Sequence, residues 1–402
     1  MKAGVIGLGT EGIKSVITLR EYNWEVYATD LNKDIDTSDI SSDKHIQIEL
    51  GKHDFNKLEK MDAVLLSPSL WNLPFAQKIK KTTKLLPDVL NSHRKLFTIG
   101  VTGTNGKTTT CHMIYEILNN AGLKVLLGGN AGGGFNGYNQ LFLEADKNKD
   151  YDILLVEVCD MTTDYCDYCF DFDLIVLTNM GNDHMDSHGS MEGYKENLKK
   201  FFKNKSIIIN EEYTFFKQNT KNTIIYPPVN YDLNCFGLFN KLNAGAAEAV
   251  AHELNIKEDI IKNTLTNFTP VEGRLKKYNY KDAEVYIGKS DNVDALKAIL
   301  DEVDFQVVFI GTPRAYEDCR WEILEEIVKR KIPNLILFNG LENTIDTATS
   351  KLKTYQFQGK LDIASNIDEI IRLLDNYKNL SPIFIGGNGQ ETILKIQKRL
   401  DA

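Results

Sequence analysis

Two rhythms alternate along the chain. Short, almost wholly apolar runs end in glycine, asparagine or serine, and between them lie longer stretches whose apolar positions recur three or four residues apart. "KAGVIGLG", "WEVYATD" and "MDAVLLSPS" come first; "KLFTIGV", "KVLLGG", "DILLVEV", "DLIVLTN" and "KSIIIN" follow; "AEVYIGK", "FQVVFIG", "PNLILFNG" and "SPIFIGGNG" come last. Strands buried on both faces read this way, and the stretches between them read as covering helices, so the pattern predicts parallel α/β sheets. Three α/β units are expected, at residues 1–94, 95–273 and 274–402. Small residues at strand carboxyl ends mark the edge where open α/β sheets bind ligands. No internal repeat, low-complexity tract or long linker interrupts the pattern.

Length and composition agree. At about 150 residues per domain, 402 residues make two to three domains. With 42% hydrophobic and 26% charged residues, there is enough apolar material to offset the ordering entropy, which excludes bulk disorder. No window nears the roughly 18 apolar residues of a membrane span, and Met1 leads straight into a strand-like run without a signal-peptide pattern. A cytoplasmic monomeric enzyme with no membrane partner is expected. The net charge of −9 would repel a polyanion, so no nucleic-acid partner is expected either. Six cysteines do not make a disulfide scaffold; Cys166 and Cys169, with Cys159 close by, read as buried thiols. "LKKFFKNK" reads as a solvated helix end.

The most informative stretch is "GVTGTNGKTTT", Gly100 to Thr110. An apolar strand feeds a glycine loop that opens an amphipathic helix. Loop and helix-start N–H groups would point at an anion, with the helix dipole adding to them. Lys107 would bring its charge to the β- and γ-phosphates, and the Thr108 hydroxyl would complete a magnesium site. Candidate ATP contacts are Gly103, Thr104, Asn105, Gly106, Lys107, Thr108 and Thr109. The strict P-loop pattern wants glycine at position 101, which is Val101.

A second glycine loop opens the chain. Gly7, Gly9 and Gly12 have the G-x-G-x-x-G spacing after a strand, and Asp30 closes the next strand where a dinucleotide fold places its ribose carboxylate. Alone this reads as nicotinamide-dinucleotide binding, yet the same helix start serves any diphosphate.

"VTGTNGKTTT" resembles the nucleotide loop of the Mur ligases and their relatives, including folylpolyglutamate and cyanophycin synthetases. Further matches follow in that family's order. "GGNAGGG" is similar to the loop facing the acceptor substrate, which makes Asn130 a candidate substrate contact. "LLVEVCD" puts Glu157 where the family keeps a magnesium-binding glutamate. "LTNMGNDHMDSHG" puts His184 at its metal-ligating histidine. "FNKLNAGAAEAV" puts Asn240 and Asn243 in the nucleotide-facing positions. "VEGR" supplies Arg274 for the ATP phosphates, and "GKSDNVDALKAIL" supplies Lys289 for the reacting phosphate. The first glycine loop resembles the unit on which alanine- and glutamate-adding members hold UDP, with Gly7, Gly9, Thr10, Asp30, Ser67 and Pro68 as contacts. Taken singly, each residue has a plainer reading as a cap, a turn or a surface side chain; chain order and separation carry the resemblance.

The resemblance implies a Rossmann-like UDP-binding unit, a central P-loop ATPase-type parallel sheet and a Rossmann-like third domain. It also implies ADP-forming amide synthesis through an acyl phosphate. Lys107, Glu157, His184 and Lys289 would be catalytic, and Thr108, Glu157 and His184 would hold magnesium, two ions being expected. Substrates would be ATP, a UDP-linked cell-wall precursor and an amino acid. The sequence departs from the family in two places. Leu198, with Lys199 beside it, stands where many members carry a carbamoylated lysine, and Ile287 stands where they often have an aspartate. "GTPR" at 311–314 is too short to select an amino acid. The archaeal pseudomurein peptide ligases look most similar in brevity. Alternatives are a folylpolyglutamate-type ligase, against which the first glycine unit argues, a nicotinamide oxidoreductase, and a noncatalytic nucleotide sensor.

Overall fold

The computed structural model describes residues 1–401 and contains three sheets. The first is a four-stranded parallel sheet of order β3-β2-β1-β4, built from β1 (Lys2–Ile6), β2 (Glu25–Asp30), β3 (Ile46–Leu50) and β4 (Ala63–Leu66). Helix α1 (Thr10–Glu21) follows β1.

The second is a six-stranded parallel sheet of order β10-β9-β8-β5-β7-β6. Its strands are β5 (Phe97–Thr102), β6 (Val125–Gly129), β7 (Ile153–Glu157), β8 (Leu174–Leu177), β9 (Ser206–Asn210) and β10 (Asn222–Tyr226). The helices that matter here are α2 (Lys107–Asn120), α3 (Tyr138–Lys147), α4 (Met191–Phe202) and α5 (Leu238–Glu253). Strand β5 lies between β7 and β8, where the chain changes direction of travel across the sheet, and a crevice opens above the carboxyl ends at such a point.

The third sheet has order β11-β12-β16-β13-β14-β15, from β11 (Lys276–Tyr280), β12 (Ala283–Ile287), β13 (Val307–Gly311), β14 (Asn334–Phe338), β15 (Lys360–Ala364) and β16 (Ile383–Gly387). Only β11 runs antiparallel, paired with β12 through a tight turn at Lys281 and Asp282, both at positive φ. Helix α6 (Val293–Leu300) follows β12, and α7 (Gln390–Asp401) packs on the seam to the central unit. There Gln397 accepts from Gly273 N–H at 2.8 Å and donates to the carbonyls of Arg274 and Ile287, each at 2.9 Å.

The predicted α/β class in three units is the architecture observed. One apolar core runs from the first sheet into one face of the second, while the opposite face of the second sheet has its own. The two faces of the third sheet carry two more. Helix α1 docks on α3: Lys14 Nζ donates to Phe135 O at 2.9 Å, and Glu11 Oε1 accepts from Asn139 N–H at 3.1 Å. Among the described residues no helix is long and apolar enough to cross a membrane.

Candidate active site

The loop between β5 and α2 is held from beneath by the end of β8 and by α5. Asn105 N–H donates to Asn179 Oδ1 at 2.9 Å, and the Asn105 carbonyl accepts from Thr178 Oγ1 and Asn179 Nδ2 at 2.6 and 2.9 Å. Thr104 Oγ1 accepts from Gly181 N–H at 2.8 Å. Gly106 takes φ +84°, and a Cβ there would collide with Asn243 Oδ1, so only glycine lets the loop settle on that helix. Asn243 is itself fixed by donating to Asn240 Oδ1 at 3.1 Å, and Asn240 by donating to Phe236 O at 2.7 Å.

Lys107 is the first residue of α2, and its ammonium donates to two carbonyls of its own loop, Gly103 at 2.6 Å and Thr104 at 2.9 Å. Burial opposes its charge, yet the carboxylates of Asp160 and Glu157 hold its pKa above the ordinary lysine value. A cation so placed, at the start of a helix whose first-turn N–H groups have no partner within the helix, suits a polyphosphate.

Beside it Thr108, Glu157 and Arg274 form a chain. Thr108 Oγ1 donates to Glu157 Oε2 at 2.7 Å and accepts from Arg274 Nη2 at 2.6 Å. Arg274 Nη2 also reaches Gly133 O at 3.2 Å, while its buried Nε has no partner. Glu157, 1% exposed, accepts at Oε1 from Asn130 Nδ2 at 3.1 Å. A Cβ on Gly133 would strike that same oxygen, so the glycine loop approaches as closely as it does only without one. A buried carboxylate whose partners are a hydroxyl and an amide, beside an orphaned guanidinium nitrogen, fits a hard cation bridged to an anion.

His184 follows β8 with left-handed backbone, φ 55°, and its Nε2 lies 3.7 Å from Asp183 Oδ2. It lines the same cavity as Thr108 and Glu157. Among the described residues, the one trio of His, Cys, Asp or Glu ligand atoms within 4.8 Å of each other is Glu248, His252 and Glu258, half-buried to exposed.

Lys289 stands across the seam with its Nζ 3.1 Å from Asp291 Oδ2. Around it are residues that motif reading missed. Arg320 binds Asp183 and Asp291; Asn292 donates to Asp183 Oδ2 at 3.2 Å; Asp160, 1% exposed, lies within hydrogen-bond distance of His188 Nε2 at 2.8 Å. Burial pushes the Asp160 carboxyl up, but His188 and Lys107 hold it below the usual range. None of these pairs is close in sequence, and "EDCRW" around Arg320 carries no motif, so only the tertiary structure reveals them.

The first-unit candidates lie elsewhere. Gly7, Gly9, Asp30, Ser67 and Pro68 gather at the carboxyl ends of β1, β2 and β4, and none lines the central cavity; Thr10 does. Asp30 is engaged locally, accepting from Leu8 N–H at 2.6 Å and Asn32 N–H at 2.8 Å. Asn130, expected with these residues as a precursor contact, lines the central cavity beside Glu157. It follows β6, the neighbour of β7, and its backbone N–H also donates to Glu157 O at 3.0 Å.

The two departures are both buried apolar side chains. Leu198 is in the core at 0% exposure, and Lys199 on the outer face of α4 pairs with Glu196, so neither lines the cavity. Ile287 is likewise buried at the end of β12. Cys166 and Cys169 are free, buried thiols, and burial pushes Cys159 up to about 12.

All three units wall one cavity of about 1610 Å³, from Thr10 and Lys14 through the phosphate loop to Lys289, Arg314 and Arg320. A phosphate loop facing a buried carboxylate, with two further α/β units walling the same cavity, has the layout of a P-loop nucleotide site. A family model described as the Mur ligase middle domain matches residues 101–280. UDP-N-acetylmuramoylalanine–D-glutamate ligase from Zymomonas mobilis is 31% identical over 218 residues, half of this chain; the match spans about half (48%) of that relative's length. The enzyme of the same name from Lawsonia intracellularis is 23% identical over 396 residues, covering 90% of this chain and 88% of its own. A pseudomurein peptide ligase type C from Methanothermus fervidus has the same fold, with TM-score 0.63, 22% identity and 99% of each chain covered. Residues 101–280 thus match the central domain of the Mur ligases, and the whole chain shares the fold of that pseudomurein peptide ligase.

Proposed function

We propose that this chain is an ATP-dependent, ADP-forming amide ligase of the Mur ligase type, joining an amino acid to the carboxylate of a UDP-linked cell-wall precursor. The observation that carries the reading is the Glu157–Thr108–Arg274 chain, set beside the phosphate loop in a cavity that all three units share. The relatives' names supply the substrate class.

A carboxylate resists nucleophiles because of its own charge, so its oxygen must first become a leaving group. In the proposed reaction the precursor carboxylate takes the γ-phosphoryl group of ATP, giving an acyl phosphate and ADP. The amine then adds to the acyl carbon, and the tetrahedral adduct expels phosphate. Positioning and charge neutralisation dominate such transfers. Lys107 would leave its loop carbonyls for the β- and γ-phosphates, Arg274 would follow the migrating group, and Lys289 would meet it from the third unit. Gly103 to Thr109 would cradle the triphosphate, with Asn240 and Asn243 below. Thr108, Glu157 and His184 would hold magnesium, which when bound neutralises phosphate charge; two ions are proposed. Asn130 would orient Glu157.

Gly7, Gly9, Thr10, Asp30, Ser67 and Pro68 would hold the UDP portion on residues 1–94. Residues 95–273 would form the ATP domain and residues 274–402 would present the amino acid.

A phosphate-release screen of UDP-linked precursors against the standard amino acids tests the reading. One pair giving ADP and phosphate in equal amounts is the expected result. Release with none, alongside tight binding of NADH and no binding of ATP, would replace it with the dinucleotide reading.

A further inference from the structure

Arg320 sits on a short turn after β13 and is 7% exposed. Its guanidinium spans the seam between the central and third units. Nε and Nη2 donate to the two oxygens of Asp183 at 2.9 and 3.2 Å, while Nη1 reaches Asp291 at 3.1 Å and Glu317 at 3.0 Å. A planar fork of donors can serve three carboxylates in this way, and an ammonium cannot.

Both main acceptors adjoin groups of the proposed reaction centre. Asp183 precedes His184 and accepts the His184 backbone N–H at 3.0 Å, on the same oxygen that Arg320 Nε holds. His184 keeps a left-handed backbone, which a residue with a Cβ holds only where its surroundings impose it. On the other side, the Asp291 oxygen bound by Arg320 is also the one 3.1 Å from Lys289 Nζ. The same loop of the central unit is gripped twice more: Asn182 N–H donates to Asp294 at 2.7 Å, and Asn182 Nδ2 to Glu322 at 2.9 Å. A buried ion cluster adds little net stability over an apolar replacement, but it fixes geometry strictly, because removing one partner strands charges away from water.

We infer that Arg320 is a positioning residue that couples docking of the third unit to the placement of both His184 and Lys289. The two sides of the reaction centre then assemble together or not at all. The chemical meaning rests on the ligase reading above; the coupling itself is readable without turnover.

Hydrogen–deuterium exchange of the full chain, without nucleotide, tests it. Arg320→Ala is expected to speed exchange in segments 179–186 and 288–293, with β13, β14 and β16 still protected. Arg320→Lys should behave like the alanine variant, and added ethylguanidinium should restore the alanine variant alone. Asp183→Asn, which keeps the shape, should speed exchange in the same two segments. A change confined to residues 311–330, no change, or lost protection across the whole third sheet would overturn the inference. For a precursor and amino-acid pair that releases phosphate, Arg320→Ala is expected to lower kcat about 100-fold and leave KM for ATP within about threefold. An unchanged kcat would likewise overturn it. If no pair releases phosphate with the native chain, the ligase reading fails while the exchange result stands.

Discussion

The side chains of Asn105 and Asn292 exchange two hydrogen bonds, 3.1 and 2.9 Å long, joining the phosphate loop to the third unit. Asn292 Oδ1 also caps α6 by accepting from Ala295 N–H at 2.9 Å. Serine would keep the cap but is too short to reach Asn105. Asn292→Ser is therefore expected to slow phosphate release with little change in Tm, whereas Asn292→Ala should also lose about 1 kcal/mol of stability. Thermal unfolding and turnover measured on both variants separate the two effects; equal Tm losses would show that the amide exchange is not the functional part.

Lys107 bonds only to carbonyls of its own loop, so removing its ammonium leaves the rest of the structure in place. Lys107→Ala should fold with a near-native circular dichroism spectrum, yet release ADP about 1000-fold more slowly. An active variant would remove the phosphate-site assignment.

Glu157 and His184 enter the cavity from β7 and from the loop after β8. Glu157→Gln and His184→Gln are each expected to raise the magnesium concentration for half-maximal turnover at least about tenfold. Manganese binding in the presence of a nonhydrolysable ATP analogue, followed by electron paramagnetic resonance, should weaken in parallel. Native magnesium dependence in both variants would show that neither side chain is a ligand.

Glu11 gives a pH-dependent prediction at the other seam. Burial pushes its carboxyl up to about 7, against the pull of the Asn139 N–H and of Lys14. Its Oε2 and the Oε1 of Gln140 are both buried acceptors without partners, and both crowd the point that a Cβ on Gly137 would occupy. A proton on Glu11 supplies the missing donor. Because the folded state binds this proton more tightly than the unfolded chain, the contribution is complete below the ordinary value of 4.5 and is lost as pH rises through about 7. Glu11→Gln puts a permanent N–H there. It should raise stability by up to about 3 kcal/mol near pH 8 and by little near pH 5. Equal Tm shifts at the two pH values would contradict this.

The strands that the hydrophobic pattern missed are β3, β10, β11 and β15, and every one is at the edge of its sheet. Each has one side open to water and carries exposed polar residues, such as Gln47, Asn222, Lys277 and Lys360, so no continuous apolar run marks it. The central strands were legible because both their faces are covered. In the site, legibility followed chain proximity. Gly103 to Thr109 form one loop and helix start because they are contiguous, and the helix behind them enforces it. Asp183, Asp291 and Arg320 meet only through the docking of one unit on another, and nothing in their local sequence announces the meeting. Asn130 was legible as a candidate from its glycine loop, but its hydrogen bond to Glu157 was not, because that neighbour is set by the β6–β7 pairing.

A cleft roomy enough for nucleotide, acid and amine together has a kinetic consequence. In the proposed reaction the activated acid would stay within that cleft between formation and capture, and neither ADP nor any other product would have to depart before the amine arrives. Double-reciprocal initial-rate plots for ATP and amino acid would then intersect, where a substituted-enzyme scheme would make them parallel.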